Sequence, residues 1–339
     1  MPDHGRDIPK RTVLMGVGHC LPERVVSNED LTQWMETNAD WILERTGIRQ
    51  RRWIDEDCGA SDLAAVAARE ACERAGVEVS EIDCIVLATL SPDHTFPGTG
   101  CFLQAKLDLP GIPALDIRNQ CSGFIYGLSV ADAWIRCGQY RRVLLVGAEI
   151  HSTGLDVSTR GRDVACLFGD GAGAVVLGPG DGSRGVISTH LHADGRHAED
   201  LWIEAPGSRF HPQRVTEEMI RDGRHFPKMR NRRVFTAAVQ RMPEVILEAL
   251  GHSDLSLDDV ALFVPHQANQ RITEAVARQL GRDPERFYSN IEMLGNTTAA
   301  SIPLALYDAE REGRLKKDDL VVLVSFGAGF TWAAAVLRY

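Results

Sequence analysis

The sequence of 339 residues lacks the features that mark metal-binding, redox, exported or membrane proteins. Its eight cysteines include no C-x-x-C pair and have irregular spacings, so we expect neither a zinc site nor a redox motif. No apolar run reaches about 18 residues, which argues against a membrane-spanning helix. The N-terminal segment, MPDHGRDIPKRT, has no apolar stretch of the kind that a secretory signal requires. We therefore expect a cytoplasmic protein that does not bind membranes.

An excess of positive charge is also missing. The formal net charge is −10, so a general affinity for nucleic acid, which depends on basic surface, is not expected. The exception is the segment 221–233, RDGRHFPKMRNRR, in which six Arg or Lys residues stand against one Asp. This segment is either a solvated loop or a docking surface for an anionic partner or a phosphorylated cofactor. Arg230 and Arg233 are the docking candidates within it.

Short β-branched runs alternate with helical patterns, which is typical of an α/β protein with parallel or mixed sheets. A chain of this length fits two domains or one large pseudo-symmetric unit. Three segments recur in the same order, each at a separation near 175 residues: the strand after Asp83 and that after Asp259, the turn at Cys121 and that at Asn296, and Val143–Val146 and Val321–Val324. The repeat predicts two halves, residues 11–180 and 181–339, whose equivalent turns meet at the centre.

Two local predictions follow from capping and turn residues. Ser61 is a good N-cap and Asp62 suits the positive end of a helix dipole, so a helix is expected over Asp62–Ala75. The stretch Asp194–Arg233 is polar, has no clear periodicity and is interrupted by Pro and Gly. It is predicted to be a long irregular segment that covers or borders the entrance to a site.

The turn around Cys121 is the first candidate for chemistry. A predicted strand ends near Ile117, and the sequence Asn-Gln-Cys121-Ser-Gly then leads into a helix rich in small residues. A thiol at a helix N-terminus lies at the positive end of the dipole, which favours the nucleophilic thiolate. The alternative is one more buried cysteine at a helix start.

Two further turns carry polar side chains between a strand and a helix. His266 follows the predicted strand Val260–Pro265, and Asn296 lies on a glycine turn before a helix. An imidazole N–H and an amide N–H could together hold an enolate or carbonyl oxygen. Taken alone, His266 could equally be a histidine whose hydrogen bonds are satisfied within the core, and Asn296 could equally be a helix-capping asparagine. The backbone N–H groups of Cys121 and Ala328 are predicted to form an oxyanion hole, because small residues around Ala328 allow close approach.

At this point the chain resembles the β-ketoacyl-acyl-carrier-protein synthase III family of condensing enzymes. The resemblance covers about Val13 to Tyr339, and its marks are Trp41-Ile-Leu-Glu-Arg45-Thr-Gly-Ile-Arg49, the Cys121 turn, Phe168-Gly-Asp-Gly-Ala-Gly, His266-Gln-Ala-Asn and Gly295-Asn-Thr-Thr-Ala-Ala-Ser. It implies a thiolase-like α/β fold with a five-layered αβαβα arrangement and a homodimer. It also implies an acyltransferase without a cofactor or metal, for which acyl-coenzyme A is a substrate.

The resemblance implies a reaction in two steps. An acyl group moves from coenzyme A to Cys121, and malonyl-acyl carrier protein then loses carbon dioxide and attacks the acyl-enzyme, with His266 and Asn296 stabilising the enolate. Further roles are implied for residues outside this centre: Trp41, Arg45, Arg162 and Asn269 bind coenzyme A, Phe96 reaches the partner's acyl pocket, and Arg271 faces the carrier protein.

Two departures from the family pattern concern the substrate. The segment 196–233 looks longer than in the simplest members, and Arg232 stands where an Asn that touches pantetheine is common, with Asn231 one residue earlier. The leading hypothesis is initiation of fatty acid synthesis. The alternative is a specialised enzyme of secondary metabolism that uses medium or long acyl chains or another acyl acceptor. A non-catalytic partner in a heterodimer is a third hypothesis, disfavoured by the presence of Cys121, His266 and Asn296 together.

Overall fold

The computed structural model describes residues 11–55 and 57–339. The strands in this part of the chain are β1 Arg11–Cys20, β2 Val25–Ser27, β3 Gln50–Arg52, β4 Cys84–Ala88, β5 Ala114–Ile117, β6 Val143–Glu149, β7 Gly171–Gly180, β8 Gly185–Ala193, β9 Leu201–Ile203, β10 Pro227–Met229, β11 Leu262–Pro265, β12 Leu320–Gly327 and β13 Thr331–Arg338. The α-helices are α1 Asn28–Leu31, α2 Ala39–Thr46, α3 Ala60–Ala75, α4 Thr99–Lys106, α5 Gly123–Arg136, α6 Arg162–Ala165, α7 Glu217–Arg221, α8 Asn231–His252, α9 Gln270–Gln279, α10 Ile291–Leu294 and α11 Ser301–Arg311.

Two mixed sheets form the frame and share one plan. The first has the strand order β1-β7-β6-β4-β5 and the second β8-β13-β12-β11, read from the matching edge. The corresponding pairs β4 with β6 and β11 with β12 are parallel, and the other pairs that the two sheets share are antiparallel. At the place of β5 the second sheet has only a single parallel bridge, between Phe263 and Phe287. The boundary between residues 180 and 181 stays a proposal, which this strand order supports.

Side chains alternate across each strand and so divide the core into layers. Ile85 and Leu87 of β4 face the alanine-rich side of α3, whereas Val86 faces α5 in the centre. The central core also joins α11 and the inner face of the second sheet, and α8 and α9 cover the outer face of that sheet. The succession is therefore α3, first sheet, α5 with α11, second sheet, α8 with α9, and the predicted five-layered arrangement is observed.

Helix α3 begins earlier than predicted. Its N-cap is Gly59, whose N–H donates to the Asp62 carboxylate at 2.9 Å, and Ser61 is buried inside the first turn. The Ser61 hydroxyl donates instead to Asp93 at 2.5 Å. The predicted N-cap at Ser61 is thus wrong, because the aspartate three residues into the helix caps the free N–H group from within.

The segment predicted to be irregular contains short elements of its own. Strands β9 and β10 pair with each other, with Trp202 opposite Lys228, and α7 lies between them. The carboxylate of Asp200 is buried and accepts from Arg230 at 2.8 Å and from Arg233 at 3.3 Å. These contacts tie the basic segment to the strand pair, and a prediction from periodicity could not detect them because the strands are only three residues long.

Gly147 in β6 marks the closest approach of the first sheet to the start of α11. A Cβ placed on Gly147 would lie 2.6 Å from the Ala299 carbonyl carbon and 2.9 Å from the Ala300 nitrogen. We expect Gly147→Ala to lower the free energy of unfolding by roughly 1–3 kcal/mol, since a packed backbone must move. Urea denaturation measures this. Gly251→Ala in α8 is the control, because a Cβ there meets nothing within 4 Å. Equal stability of the two variants would contradict this packing.

Candidate active site

Two tight turns meet between the sheets and carry the candidate residues. One turn, Gln120–Ser122, leads into α5, and the other, Thr298–Ala300, leads into α11. Gln120 and Thr298 both have left-handed backbone conformations, with φ of 44° and 48°. This geometry matches Thr298 with Gln120, so Ala299 is the counterpart of Cys121. The geometry supports the predicted correspondence of the turns around Cys121 and Asn296, and Ala299, three residues after Asn296, takes the position of Cys121.

Cys121 lies at the base of its turn and is only 6% exposed. Gly327 of β12 packs directly on it, since a Cβ on that glycine would lie 2.8 Å from the Cys121 sulfur. Burial raises the pKa of the Cys121 thiol to about 12, with a contribution from nearby Glu149, against the lowering effect of the Ala328 and Cys121 N–H groups. Burial therefore outweighs the two N–H groups and favours the neutral thiol, contrary to the expectation from the helix dipole.

The two N–H groups of the predicted oxyanion hole are close enough to the Cys121 sulfur to lower the pKa of the thiol. One belongs to Cys121 itself and the other to Ala328, which follows β12. They come from different halves of the molecule, and they converge because Gly327 lets the strand end approach the turn.

His266 follows β11 and is 3% exposed. Its backbone N–H donates to Val324 at 2.7 Å, and its Nδ1 lies 2.7 Å from the Ser301 hydroxyl. Its Nε2 is buried and has no hydrogen-bond partner among residues 11–55 and 57–339. Burial lowers the pKa of His266 to about 3, partly offset by the Thr298 backbone, so the ring is neutral near pH 7. Nδ1 is therefore held by Ser301, whereas Nε2 has no partner in the described part of the chain.

Asn296 is oriented by its neighbours in the same way. Its backbone N–H donates to Leu167 at 2.8 Å, and its carbonyl accepts from Gly169 at 3.1 Å. The side-chain oxygen accepts from the Thr298 N–H at 2.9 Å, which leaves the amide nitrogen as a donor for another group.

Cys121, His266 and Asn296 line one cavity of about 300 Å³. The same cavity extends past Phe326 and Met229 to a surface opening at Trp41, Arg45, Asn269 and Arg271. The structure therefore brings together residues that are far apart in the sequence. Both Asn231 and Arg232, the two positions of the family departure, also line it.

The predicted coenzyme A residues cluster at the opening. The guanidinium carbons of Arg45 and Arg162 lie 4.8 and 5.2 Å from the centroid of the Trp41 ring. Asn269 donates to the Arg45 carbonyl at 3.0 Å and also caps α9 through its side-chain oxygen. An aromatic face with two cations is suited to a planar, negatively charged group.

Other predicted residues lie apart from this cluster. Phe96 is 82% exposed and lines neither of the two cavities that reach Cys121. Arg230 and Arg233 bind Asp200 of their own chain, so part of their charge is compensated internally. Arg271 borders the opening, with its guanidinium carbon 6.0 Å from the Phe235 ring centroid.

A second cavity of about 600 Å³ reaches Cys121 from another side. Its lining includes Ser91, His151, Leu155, Phe168 and Ala328. Cys121 and Phe168 border both cavities, so the sulfur stands at their junction.

Sequence reasoning missed Glu149, a buried carboxylate beside this junction. It accepts from the Leu90, Ser91 and Ala299 N–H groups and from the Thr89 and Ser91 hydroxyls, with the shortest distance 2.6 Å to Ser91. Burial raises its pKa to about 7 against these hydrogen bonds. The sequence did contain a signal for this residue, because Glu149 ends the apolar strand β6. A buried carboxylate in such a strand is costly unless it is hydrogen-bonded, and it therefore indicates a polar site.

Among the described residues, no group of three or more His, Cys, Asp or Glu side chains is placed to hold a metal ion. The helices within the same ranges include none that is long and apolar enough to cross a membrane.

Comparison with known proteins places this geometry in a family. Residues 115–195 match the family model described as 3-oxoacyl-[acyl-carrier-protein (ACP)] synthase III, and residues 250–339 match the model of its C-terminal part. The chain is 48% identical over 334 residues to the beta-ketoacyl-[acyl-carrier-protein] synthase III of Rhodospirillum rubrum, covering 97% of this chain and 99% of the relative. It is 46% identical over 336 residues to that of Rhodospirillum centenum, covering 98% and 100%.

A solved structure gives the same result for the fold. The crystal structure of 3-oxoacyl-[acyl-carrier-protein] synthase III from Aquifex aeolicus matches with a TM-score of 0.89 at 39% identity, covering 97% of this chain and 100% of that one. The predicted family, thiolase-like fold and acyltransferase class are therefore confirmed. The chain belongs to the β-ketoacyl-[acyl-carrier-protein] synthase III family.

Proposed function

We propose that this protein condenses an acyl-coenzyme A starter with malonyl-acyl carrier protein through an acyl group carried on Cys121, the step that initiates fatty acid synthesis. The observation that carries the proposal is the single cavity shared by Cys121, His266 and Asn296, with a free Nε2 and a free amide nitrogen. The names of the relatives agree with this reaction. They do not favour the alternative of a specialised enzyme with another acceptor.

In the first step the Cys121 sulfur attacks the acyl thioester. The Cys121 thiol loses its proton as the carbon–sulfur bond to Cys121 forms, the bond to the sulfur of coenzyme A breaks, and the released thiolate takes up a proton, so that no proton is consumed overall. The backbone N–H groups of Cys121 and Ala328 bind the oxyanion that develops on the carbonyl, and their effect on the pKa of the nearby thiol supports this role.

In the second step the malonyl thioester loses carbon dioxide, and its α-carbon bonds to the acyl carbon while Cys121 leaves as a thiolate that is reprotonated. Negative charge develops on the malonyl thioester oxygen. The Asn296 amide donates to it, and so does His266 when its proton is on Nε2. The Ser301 hydroxyl lies 2.7 Å from Nδ1 and holds the imidazole ring in place. Neutral donors suit a site that burial keeps uncharged.

Substrates enter by the opening at Trp41. The Trp41 ring stacks on the adenine, Arg45 and Arg162 bind the nucleotide phosphates, and Asn269 lines the path of the pantetheine arm. The supporting geometry is the cation pair around the ring and the position of Asn269 along the cavity wall. Arg232 adds a positive charge to this wall, and Asn231 supplies the amide beside it.

The protein acts as a homodimer in this proposal, and Phe96 completes the acyl pocket of the partner subunit. The exposure of this large apolar side chain is what supports the assignment, since an isolated chain gains nothing from a phenylalanine in water. The reaction takes place in the cytoplasm and uses acyl-coenzyme A as a substrate, without a resident cofactor.

The first test concerns the nucleophile and its protonation. Intact-mass measurement after incubation with acetyl-coenzyme A is expected to show the added acyl group on the wild type and not on Cys121→Ala. With the pKa of Cys121 raised to about 12, the thiolate fraction grows roughly tenfold per pH unit below that value. The acylation rate should therefore rise between pH 6 and pH 9. A flat profile would show that the thiol proton is removed within the transition state by a neighbouring base.

The second test separates the two steps. His266→Ala and Asn296→Ala are each expected to slow decarboxylation of malonyl-acyl carrier protein by roughly 100-fold or more, since one donor to the developing enolate is lost. Acylation of Cys121 in the same variants should persist. The two rates are measured by release of carbon dioxide and by mass. An equal loss in both steps would contradict the assignment of these residues to the second one.

The third test concerns carrier-protein docking. Arg271 borders the opening without an ion-pair partner among the described residues, so Arg271→Glu is expected to weaken the binding of malonyl-acyl carrier protein, more strongly at low salt. Charge reversal at Arg230 or Arg233 is expected to do the same. These two also release Asp200 from its partners, so Asp200→Asn serves as the control for lost folding contacts. Unchanged affinity in Arg271→Glu would remove it from the docking surface.

A further inference from the structure

We propose that His151 is a positioning residue for the condensation step: it holds Thr298 in the left-handed conformation from which the Thr298 N–H fixes the Asn296 amide. This inference rests on the proposed function, in which Asn296 donates to the malonyl oxygen. His151 itself lies in the wall of the second cavity and does not line the one that contains Asn296.

The conformation of Thr298 is the starting point. Its φ of 48° lies in the left-handed region, which a β-branched residue seldom adopts because its Cβ crowds the backbone. Such a conformation persists only where surrounding contacts determine it. Thr298 is 1% exposed, so those contacts come from the protein.

His151 supplies the contact on the side chain. Its Nε2 and the Thr298 hydroxyl share a hydrogen bond of 2.8 Å. His151 is itself held in place, because its backbone N–H donates to Asp170 at 2.7 Å and its ring packs on Phe168 with centroids 4.5 Å apart. Burial, and secondarily the nearby His266, lower the pKa of His151 to about 3, so the imidazole is neutral. It is therefore a rigid, uncharged partner for the threonine hydroxyl.

Thr298 transmits this constraint to both residues of the second step. Its N–H donates to the Asn296 side-chain oxygen at 2.9 Å, which turns the amide nitrogen toward the cavity. Its carbonyl accepts from the Ser301 hydroxyl at 2.8 Å, and that hydroxyl lies 2.7 Å from Nδ1 of His266. Relaxation of Thr298 to an ordinary conformation would rotate both backbone groups and misalign the two donors together.

The primary experiment compares half-reactions in His151→Ala and in the pair Thr298→Val and Thr298→Ser. His151→Ala and Thr298→Val are expected to lower kcat for malonyl decarboxylation at least tenfold, with KM for malonyl-acyl carrier protein and the rate of Cys121 acylation changed less than threefold. Thr298→Ser keeps the hydroxyl and should retain at least half of the wild-type kcat. His19→Ala removes a half-buried imidazole that borders neither cavity, and it controls for general loss of packing.

Rescue by glycine is the decisive step. Glycine adopts positive φ without a Cβ clash, so Thr298→Gly no longer needs the His151 anchor. The double variant His151→Ala/Thr298→Gly should decarboxylate at least threefold faster than His151→Ala. Equal losses in both half-reactions, or no rescue, would overturn the proposal. If His151→Ala fails to fold, the comparison of Thr298→Val with Thr298→Ser decides in the same way.

A readout independent of activity separates this inference from the proposed function. A crystal structure of Thr298→Val is expected to show residue 298 outside the left-handed region, or the Asn296 amide turned away. An unchanged backbone and amide would sink the positioning role even if the enzyme condenses malonyl units. Conversely, a displaced amide in a protein that never acylates Cys121 would uphold the role of His151 and refute the proposed reaction.

Discussion

The site depends on the close packing of two helix starts against the sheets that enclose them. Gly147 lies under the Ala299 carbonyl, Gly123 packs on Ala88 and Ala299, and Gly327 packs on Cys121. At these contacts a methyl group would press on Ala299, Ala88 and Cys121, respectively. Because small residues bring the turns this close, groups from both halves of the chain converge within one cavity. Close contact between backbone segments thus brings Cys121, His266 and Asn296 together, and no long side chain is needed to span the distance between the two halves.

Burial is the second constraint, and it moves every ionisable group at the junction toward its neutral form. The pKa of Cys121 rises to about 12 and that of Glu149 to about 7, whereas those of His266 and His151 fall to about 3. These four side chains are therefore predominantly uncharged near neutral pH, apart from Glu149, which titrates close to it. Neutral hydrogen-bond donors, such as backbone and amide N–H groups, stabilise an oxyanion in this buried region more strongly than they would in water.

Strand-turn-helix patterns and small residues are local signals, and they were sufficient to predict the α/β class, the two turns and the candidates Cys121, His266 and Asn296. The layered fold and the residues at the cavity opening were implied by the family resemblance. Other features depended on contacts that no pattern encodes. Asp200 compensates part of the positive charge of the basic segment by pairing with Arg230 and Arg233. These contacts join residues 30 and more positions apart in the sequence. Ser61 was a good N-cap by type, but Asp62 and Asp93 decided the helix start. His151 had no signal beyond its place after a buried strand.

The two cavities that meet at Cys121 have a consequence for the order of events. A chain attached to the sulfur and extending into the larger cavity leaves the smaller one empty, with its opening at Trp41 unobstructed. The carried group and the next pantetheine arm then occupy separate compartments, and neither has to leave for the other to arrive. In the proposed reaction, the size of the larger cavity therefore limits the length of the acyl chain on Cys121, independently of how the smaller cavity admits the pantetheine arm.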